Sequence, residues 1–312
     1  MIQKADLLNC SKRIAPYIHR TPVLTSRLLN QLVDAELYFK CENFQRVGAF
    51  KMRGAANAVL QLSDEQKSRG VVTHSSGNFA QALALAAKYA DIKAYIVMPS
   101  TAPLVKKEAV KGYGGQVIEC EPTVIAREAM AKRIEEEYAA VFIHPYDNEA
   151  VIAGQATACM ELFEEQPHLD AVFTPVGGGG LISGTALAAH FYSKKCQVYG
   201  AEPEQVNDAF RSLQSGKIES NKTTDTIADG LKTNLGKINF PIIQQYVKDI
   251  HTVTEEEIIE ALRLIWERMK IIVEPSSAVA LAALIKQKQN FANKKVGIIL
   301  SGGNIDLKAL PF

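Results

Sequence analysis

From about residue 70 onward, short β-rich apolar runs alternate with longer helical patterns, and this alternation constrains the fold more than any other feature of the chain. "VVTH" is followed by the helical "FAQALALAAKYA", then "KAYIVMP", then "APLVKKEAVKGY". The pattern goes on through "GQVIEC", "PTVIAREAMAKRIEEEYA" and "AVFIHP", and returns in "DAVFTPV", "LISGTALAAHFY", "QVYGAEP" and "KVGIILSGG". Strands joined by helices of this length build parallel sheets covered by helices, so the expected class is α/β. At 312 residues the chain exceeds what one hydrophobic core usually serves, which predicts two lobes.

The remaining stretches set fewer limits. Ile258, Leu262, Ile265 and Met269 fall on one stripe of a helix predicted over 255–269, a core-facing surface rather than a cofactor box. "LQSGKIESNKTTDT" reads as a polar surface loop. With 35 basic and 34 acidic residues and no basic run interleaved with aromatics, nucleic acid is not an expected partner. The first residues lack a charged segment leading into an apolar one, and no apolar run reaches a membrane span, so a cytoplasmic location is expected. Five scattered cysteines without a C-x-x-C pair read as reduced thiols, not as a metal or disulfide framework.

Three glycine- and serine-rich turns follow predicted strands and precede helices or the chain's last segment, the places where open α/β sheets bind ligands. "HSSGNFAQ" puts two hydroxyls, a glycine and an amide at a helix N-terminus, where free N–H groups attract a carboxylate; the same residues also serve simply as helix caps. "PVGGGGLISG" holds four consecutive glycines, Gly177, Gly178, Gly179 and Gly180, whose entropic cost suits a backbone cradle for phosphate; the same run also serves simply as a tight turn. No G-K-[ST] follows them, which excludes a Walker loop, and no ribose-binding acid follows the next strand. "LSGGNIDL" ends a third apolar strand with Ser301.

Together with "GAFKMRGA" around Lys51, these turns resemble the fold-type-II pyridoxal 5′-phosphate enzymes of the serine/threonine dehydratase and serine racemase family. The resemblance runs from "HRTPVLTS" through "FKCENFQRVGAFKMRGA", "SSGN", "VIAGQ", "PVGGGG", "IADG", "VEPSSAV" and "LSGGN". It implies a two-domain fold, each domain a mostly parallel open sheet covered by helices, with a large cofactor domain of residues 1–60 and 149–312 and a small domain of 61–148 inserted in it. It implies that Lys51 is the Schiff-base lysine, Phe50 packs beside the cofactor ring, Asn78 bonds its 3-hydroxyl, the four glycines hold its phosphate, Glu274 lies beside it, and Ser301 faces its pyridine nitrogen. A neutral hydroxyl at that nitrogen makes a weaker electron sink than a carboxylate, which suits prompt β-elimination.

The substrate carboxylate is expected on the loop Ser75, Ser76, Gly77 and Asn78, with Tyr113, Arg127 and Gly230 approaching substrate by the same resemblance. Glu202, the carbonyl of Val206 and Asp208 match the family's cation site, for Mg²⁺ (or Mn²⁺ or Ca²⁺). Ser76 takes the position of the opposite-face acid/base of the racemases, and is shared by 3-hydroxyaspartate dehydratases. Phe79 departs from the family, which has His there, and is expected to pack under the loop. The expected activity is dehydration of L-threonine or L-serine to a 2-oxo acid and ammonia, with serine racemisation or 3-hydroxyaspartate dehydration as alternatives, and a non-catalytic amino-acid sensor as a remote one. A homodimer with a small hydroxy amino acid as its ligand completes the expectation.

Overall fold

The computed structural model describes residues 2–193 and 195–312. In chain order these form α1 (Lys4–Ile14), β1 (Val23–Leu24), α2 (Arg27–Val33), β2 (Glu36–Cys41), α3 (Lys51–Leu60), α4 (Asp64–Arg69), β3 (Val71–His74), α5 (Asn78–Tyr89), β4 (Ala94–Pro99), α6 (Leu104–Gly112), β5 (Gln116–Cys120), α7 (Val124–Tyr138) and β6 (Val141–Phe142). There follow α8 (Glu149–Glu165), β7 (Ala171–Pro175), α9 (Gly180–Tyr192), β8 (Gln197–Pro203), α10 (Asp208–Ser215), α11 (Asn239–Tyr246), β9 (Val247–Val253), α12 (Glu255–Leu264), α13 (Pro275–Lys286) and β10 (Lys295–Leu300). The chain divides into two compact units, one made of the segment up to His19 with Lys51–Gly154, the other of Arg20–Phe50 with Gln155–Phe312.

The first unit carries a parallel sheet in the order β5-β4-β3-β6. Val72, Tyr95 and Val97 of the strands pack with Ala131 and Ile134 of α7 in one apolar cluster. α5 is rich in Ala and Leu, and its residues from Ala82 through Ala87 are buried because α3 and the sheet cover it. Since each strand here runs parallel to the next, the turns after β3, β4, β5 and β6 all emerge at one edge of the sheet.

The second unit carries a sheet in the order β1-β2-β10-β7-β8-β9, parallel except for β1. β7 and β10 are apolar runs buried on both faces, as central parallel strands must be. α13 is buried from Pro275 to Leu284 and lies against the sheet, which is why its sequence shows no polar stripe.

Every strand and helix expected from the alternation is present, while β1, β2 and β9 carry weaker patterns. β2 hides its character because Lys40 within it is fully buried, its amine 2.7 Å from Glu161 and 2.6 Å from the carbonyl of Thr21. The expected helix over 255–269 is α-helical only to Leu264. Ile265–Met269 widens into a π turn, ended by left-handed Lys270 (φ 59°) and by the indole of Trp266 donating to Val273 O at 3.1 Å. Ile258, Leu262 and Ile265 of the stripe are buried and Met269 is partly so. In "LQSGKIESNKTTDT" the first three residues end α10, and the rest has neither helix nor strand. Among the described residues no helix is long and apolar enough to cross a membrane.

Candidate active site

The loop before Lys51 is built with unusual backbone. Val47 is left-handed (φ 56°), a costly conformation for a β-branched residue, and is held there by Asn304, whose side-chain amide donates to Val47 O at 2.7 Å. The N–H of Gly303 donates to Gly48 O at 2.9 Å, and the N–H of Phe50 to Ser301 O at 3.0 Å. The turn after β10 therefore braces residues 47–50, and half-buried Phe50 ends one residue before the lysine.

In the first unit Lys51 opens α3, so its amine projects from a helix start rather than from a solvated face. Nζ donates to Pro145 O at 2.9 Å and stands 5.6 Å from the centroid of the Phe79 ring. Phe79 belongs to the first turn of α5 and is only 2% exposed, a packed ring beside the amine. Just before it, Ser75, Ser76, Gly77 and Asn78 are half-buried. Gly77 caps α5 without any side-chain cap, and a Cβ placed on it would meet nothing within 4 Å. The amine and an uncapped helix N-terminus thus share one neighbourhood, and an anion is favoured at the latter.

Behind this loop His74 stacks on Phe142 at 5.4 Å and meets His144 edge-on at 5.8 Å. Burial, reinforced by the charges of His74 and Lys51, lowers His144 to about 4, with Asp147 opposing. Neutral His144 accepts the N–H of Asp147 at 2.9 Å and that of Tyr146 at 3.4 Å on Nδ1, which fixes the turn that presents Pro145 O to Lys51. Arg127, in the first turn of α7, is half-buried, and its charge opposes protonation of His74 after burial does. Tyr113 is the C-cap of α6, its N–H donating to the carbonyls of Ala109 and Lys111.

In the second unit the glycine turn follows β7 and Gly179 caps α9. Gly178 O accepts Gly236 N–H at 3.1 Å and the Asn239 amide at 3.0 Å, whereas the N–H groups of Gly177, Gly178 and Gly179 donate to no acceptor among the described residues. Unpaired N–H groups on half-buried Gly177 and buried Gly178 and Gly179, at the start of a 13-residue helix, fit a phosphate. The turn tolerates no side chain: Gly179 has φ +94°, and a Cβ on it would lie 2.9 Å from that of Asn239. Gly230 lies against the same turn, its carbonyl 3.0 Å from where a Cβ on Gly177 would stand, and its N–H donates to Ser276 Oγ at 3.0 Å.

At the end of β10, Ser301 is 3% exposed and its Oγ lies 3.1 Å from Ser277 Oγ. Glu274, 4% exposed, donates its N–H to Gly302 O at 3.0 Å. Phe50, Glu274 and Ser301 are therefore brought together around Gly302. Ser277 is the residue that sequence reasoning passed over; its motif "VEPSSAV" was visible, but its partner lies 24 positions away.

Glu202 and Asp208 are both fully buried. The Glu202 oxygens accept the N–H groups of Ala209 (3.1 Å) and Phe210 (2.7 Å), and those of Asp208 accept the Asn221 amide (2.6 Å) and the N–H of Leu235 (2.8 Å). Burial pushes Glu202 well up and Asp208 to about 6, and the Asp208 charge raises Glu202 further. Two carboxyls so displaced, beside the buried Val206, fit a hard cation. Among the described residues no group of three or more His, Cys, Asp or Glu is arranged to hold a metal.

Comparison with known proteins supplies the family. A family model described as pyridoxal-phosphate dependent enzyme matches residues 14–302. A serine racemase of Dictyostelium discoideum is 52% identical, the match covering 98% of this chain and 95% of the relative. An L-threo-3-hydroxyaspartate ammonia-lyase of Saccharomyces cerevisiae is 50% identical, over 97% of this chain and 93% of the relative. The crystal structure of the Dictyostelium racemase matches with a TM-score of 0.93, covering 97% of this chain and 98% of that one. With a family model matching residues 14–302 and a relative 52% identical along nearly its whole length, the chain belongs to the family of pyridoxal-phosphate dependent enzymes.

Proposed function

We propose that the chain is a hydroxy-amino-acid ammonia-lyase that eliminates water from L-serine, L-threonine or L-threo-3-hydroxyaspartate and that also racemises serine. The observation that carries this reading is the amine of Lys51 beside the uncapped first turn of α5, which sets a base and a carboxylate dock in one unit. Relatives named serine racemase and hydroxyaspartate ammonia-lyase support it.

Bound pyridoxal phosphate supplies an electron sink for negative charge at the amino-acid Cα. The chain's own residues do the rest. The N–H groups of Gly177–Gly180 would hold its phosphate, and Asn78, Phe50, Glu274 and Ser301 would be the residues that bind its ring. Ser75–Asn78 orient the substrate carboxylate, and the Lys51 amine removes the Cα proton. Ser76, whose side chain has no hydrogen-bond partner among the described residues, returns a proton from the opposite face. Arg127 positions a second carboxylate, which favours 3-hydroxyaspartate. Glu202, Val206 O and Asp208 hold Mg²⁺, Mn²⁺ or Ca²⁺, and Asn221 ties the polar loop to that ion's site. A large domain of residues 1–60 and 149–312 with 61–148 inserted, a homodimer and a cytoplasmic location belong to the same proposal.

The test is an assay of purified protein, with and without Mg²⁺, on L-serine, D-serine, L-threonine and L-threo-3-hydroxyaspartate, measuring 2-oxo acid and enantiomer together. Lys51→Ala should lose both products, and turnover surviving that substitution overturns the role of Lys51. Ser76→Ala should lose racemisation while 2-oxo acid release continues; equal loss of both contradicts an opposite-face role.

A further inference from the structure

We propose that Asn239 is a positioning residue that aims the N–H group of Gly179 into the phosphate cradle. The proposal rests on the glycine turn being the place where the cofactor phosphate binds. Gly178 O accepts two hydrogen bonds, from the side-chain amide of Asn239 at 3.0 Å and from the N–H of Gly236 at 3.1 Å. A carbonyl oxygen only accepts, so the amide nitrogen of Asn239, and not its oxygen, faces Gly178 O. Nothing in the sequence marks this role: Asn239 opens α11, 61 positions beyond Gly178, where an amide ordinarily reads as a helix cap.

The peptide joining Gly178 to Gly179 is trans and planar, and in such a unit the N–H points opposite to the C=O. Fixing the carbonyl direction of Gly178 therefore fixes the N–H direction of Gly179. Because the carbonyl is turned toward Gly236 and Asn239, the N–H is turned away from them, and it meets no acceptor among the described residues.

Such bracing matters here because neither glycine has a side chain to limit rotation of the peptide between them. Turning that peptide over would exchange its two polar groups and offer a phosphate a carbonyl oxygen in place of a donor. Asn239 opposes the rotation from a fully buried position, its Cβ packed 2.9 Å from where a Cβ on Gly179 would stand. Gly236 supplies the other bond from the backbone and follows Leu235, whose N–H is itself held by Asp208 at 2.8 Å. That half of the bracing does not depend on the Asn239 side chain, so substituting Asn239 weakens the aim of the Gly179 N–H without dismantling the turn.

The experiment titrates the cofactor-free chain with pyridoxal 5′-phosphate and with pyridoxal, the same ring and aldehyde without the phosphate. Wild type is compared with Asn239→Leu, which keeps the branched shape of the side chain and removes the donor. Asn239→Leu should bind pyridoxal phosphate about tenfold more weakly, the effect of one hydrogen bond, and should bind pyridoxal as wild type does. Equal affinity of the two proteins for pyridoxal phosphate overturns the proposal, and so does an equal loss for both ligands, the mark of a general structural defect. A second measurement needs no variant: in wild type labelled with ¹⁵N-glycine, the amide proton of Gly179 should move downfield when pyridoxal phosphate is added, and a resonance that stays in place overturns the proposal. A wild-type chain that binds no pyridoxal phosphate overturns the function and this assignment with it, whereas bound cofactor indifferent to Asn239 overturns this assignment alone.

Discussion

The Nζ atom of Lys51 stands 5.6 Å from the ring centroid of Phe79 and 2.9 Å from Pro145 O, so an aromatic face and a carbonyl both border the amine.

Phe79 then matters first as packing. Replacing a nearly fully buried ring by alanine removes its transfer energy and leaves a cavity, so Phe79→Ala should lose about 3–5 kcal/mol. Phe79→His, the family's residue, keeps a ring but buries polar nitrogens and should lose about 1–3 kcal/mol. Urea unfolding of both variants checks the order; a histidine variant as stable as wild type would mean that a partner for the imidazole already exists.

His144 gives the chain a pH dependence. Its folded value, about 4, lies below the ordinary 6.5, so the native state binds fewer protons than the unfolded chain in between. The contribution is therefore fully present above pH 6.5 and is lost as the pH falls toward 4, by about 1–3 kcal/mol for a partly exposed ring. His144→Asn keeps an acceptor for the Asp147 N–H but cannot titrate. Its stability should fall less than that of wild type over this window in parallel chemical denaturations.

Gly154 of α8 sits where a Cβ would come within 2.5 Å of Arg53 O and of Gly54 Cα in α3. Neither is the yielding end of a side chain, so Gly154→Ala must displace the helix that begins at Lys51. We expect a loss of about 3 kcal/mol or more, read as a lower urea midpoint, and a lowered kcat in whatever fraction folds.

The carboxyls of Glu202 and Asp208 predict a cation effect. Adding Mg²⁺ to chelator-treated protein at neutral pH should raise Tm progressively with concentration, because only the folded chain gathers the ligands. Asp208→Asn should abolish most of that rise, and a rise undiminished in the variant would place the ion elsewhere.

The parts of the site that were legible in the sequence are those whose chemistry leaves a mark in residue type. Four glycines in a row and a lysine behind "GAF" announce backbone exposure and an amine. Pro145 was not legible, because a carbonyl acceptor has no side-chain signature, and neither was His144, whose role is to accept two N–H groups in a turn that only the fold creates. Ser277 lay inside a quoted motif, yet its meaning depends on β10 ending beside the first turn of α13. Nor does Lys40 carry a mark of its burial, since only the fold brings Glu161 to its amine. The alternation of apolar runs exposed the central strands, whereas short or mixed-pattern β1 and β9 depend on neighbours for their definition.

The bracing of Val47–Phe50 by Ser301–Asn304 joins segments about 250 positions apart in the chain. Val47 is therefore held in its left-handed conformation only once β10 and the turn after it have formed, so the backbone leading into α3 takes its final shape by closing a loop of about 250 residues, an entropic cost that local contacts cannot meet.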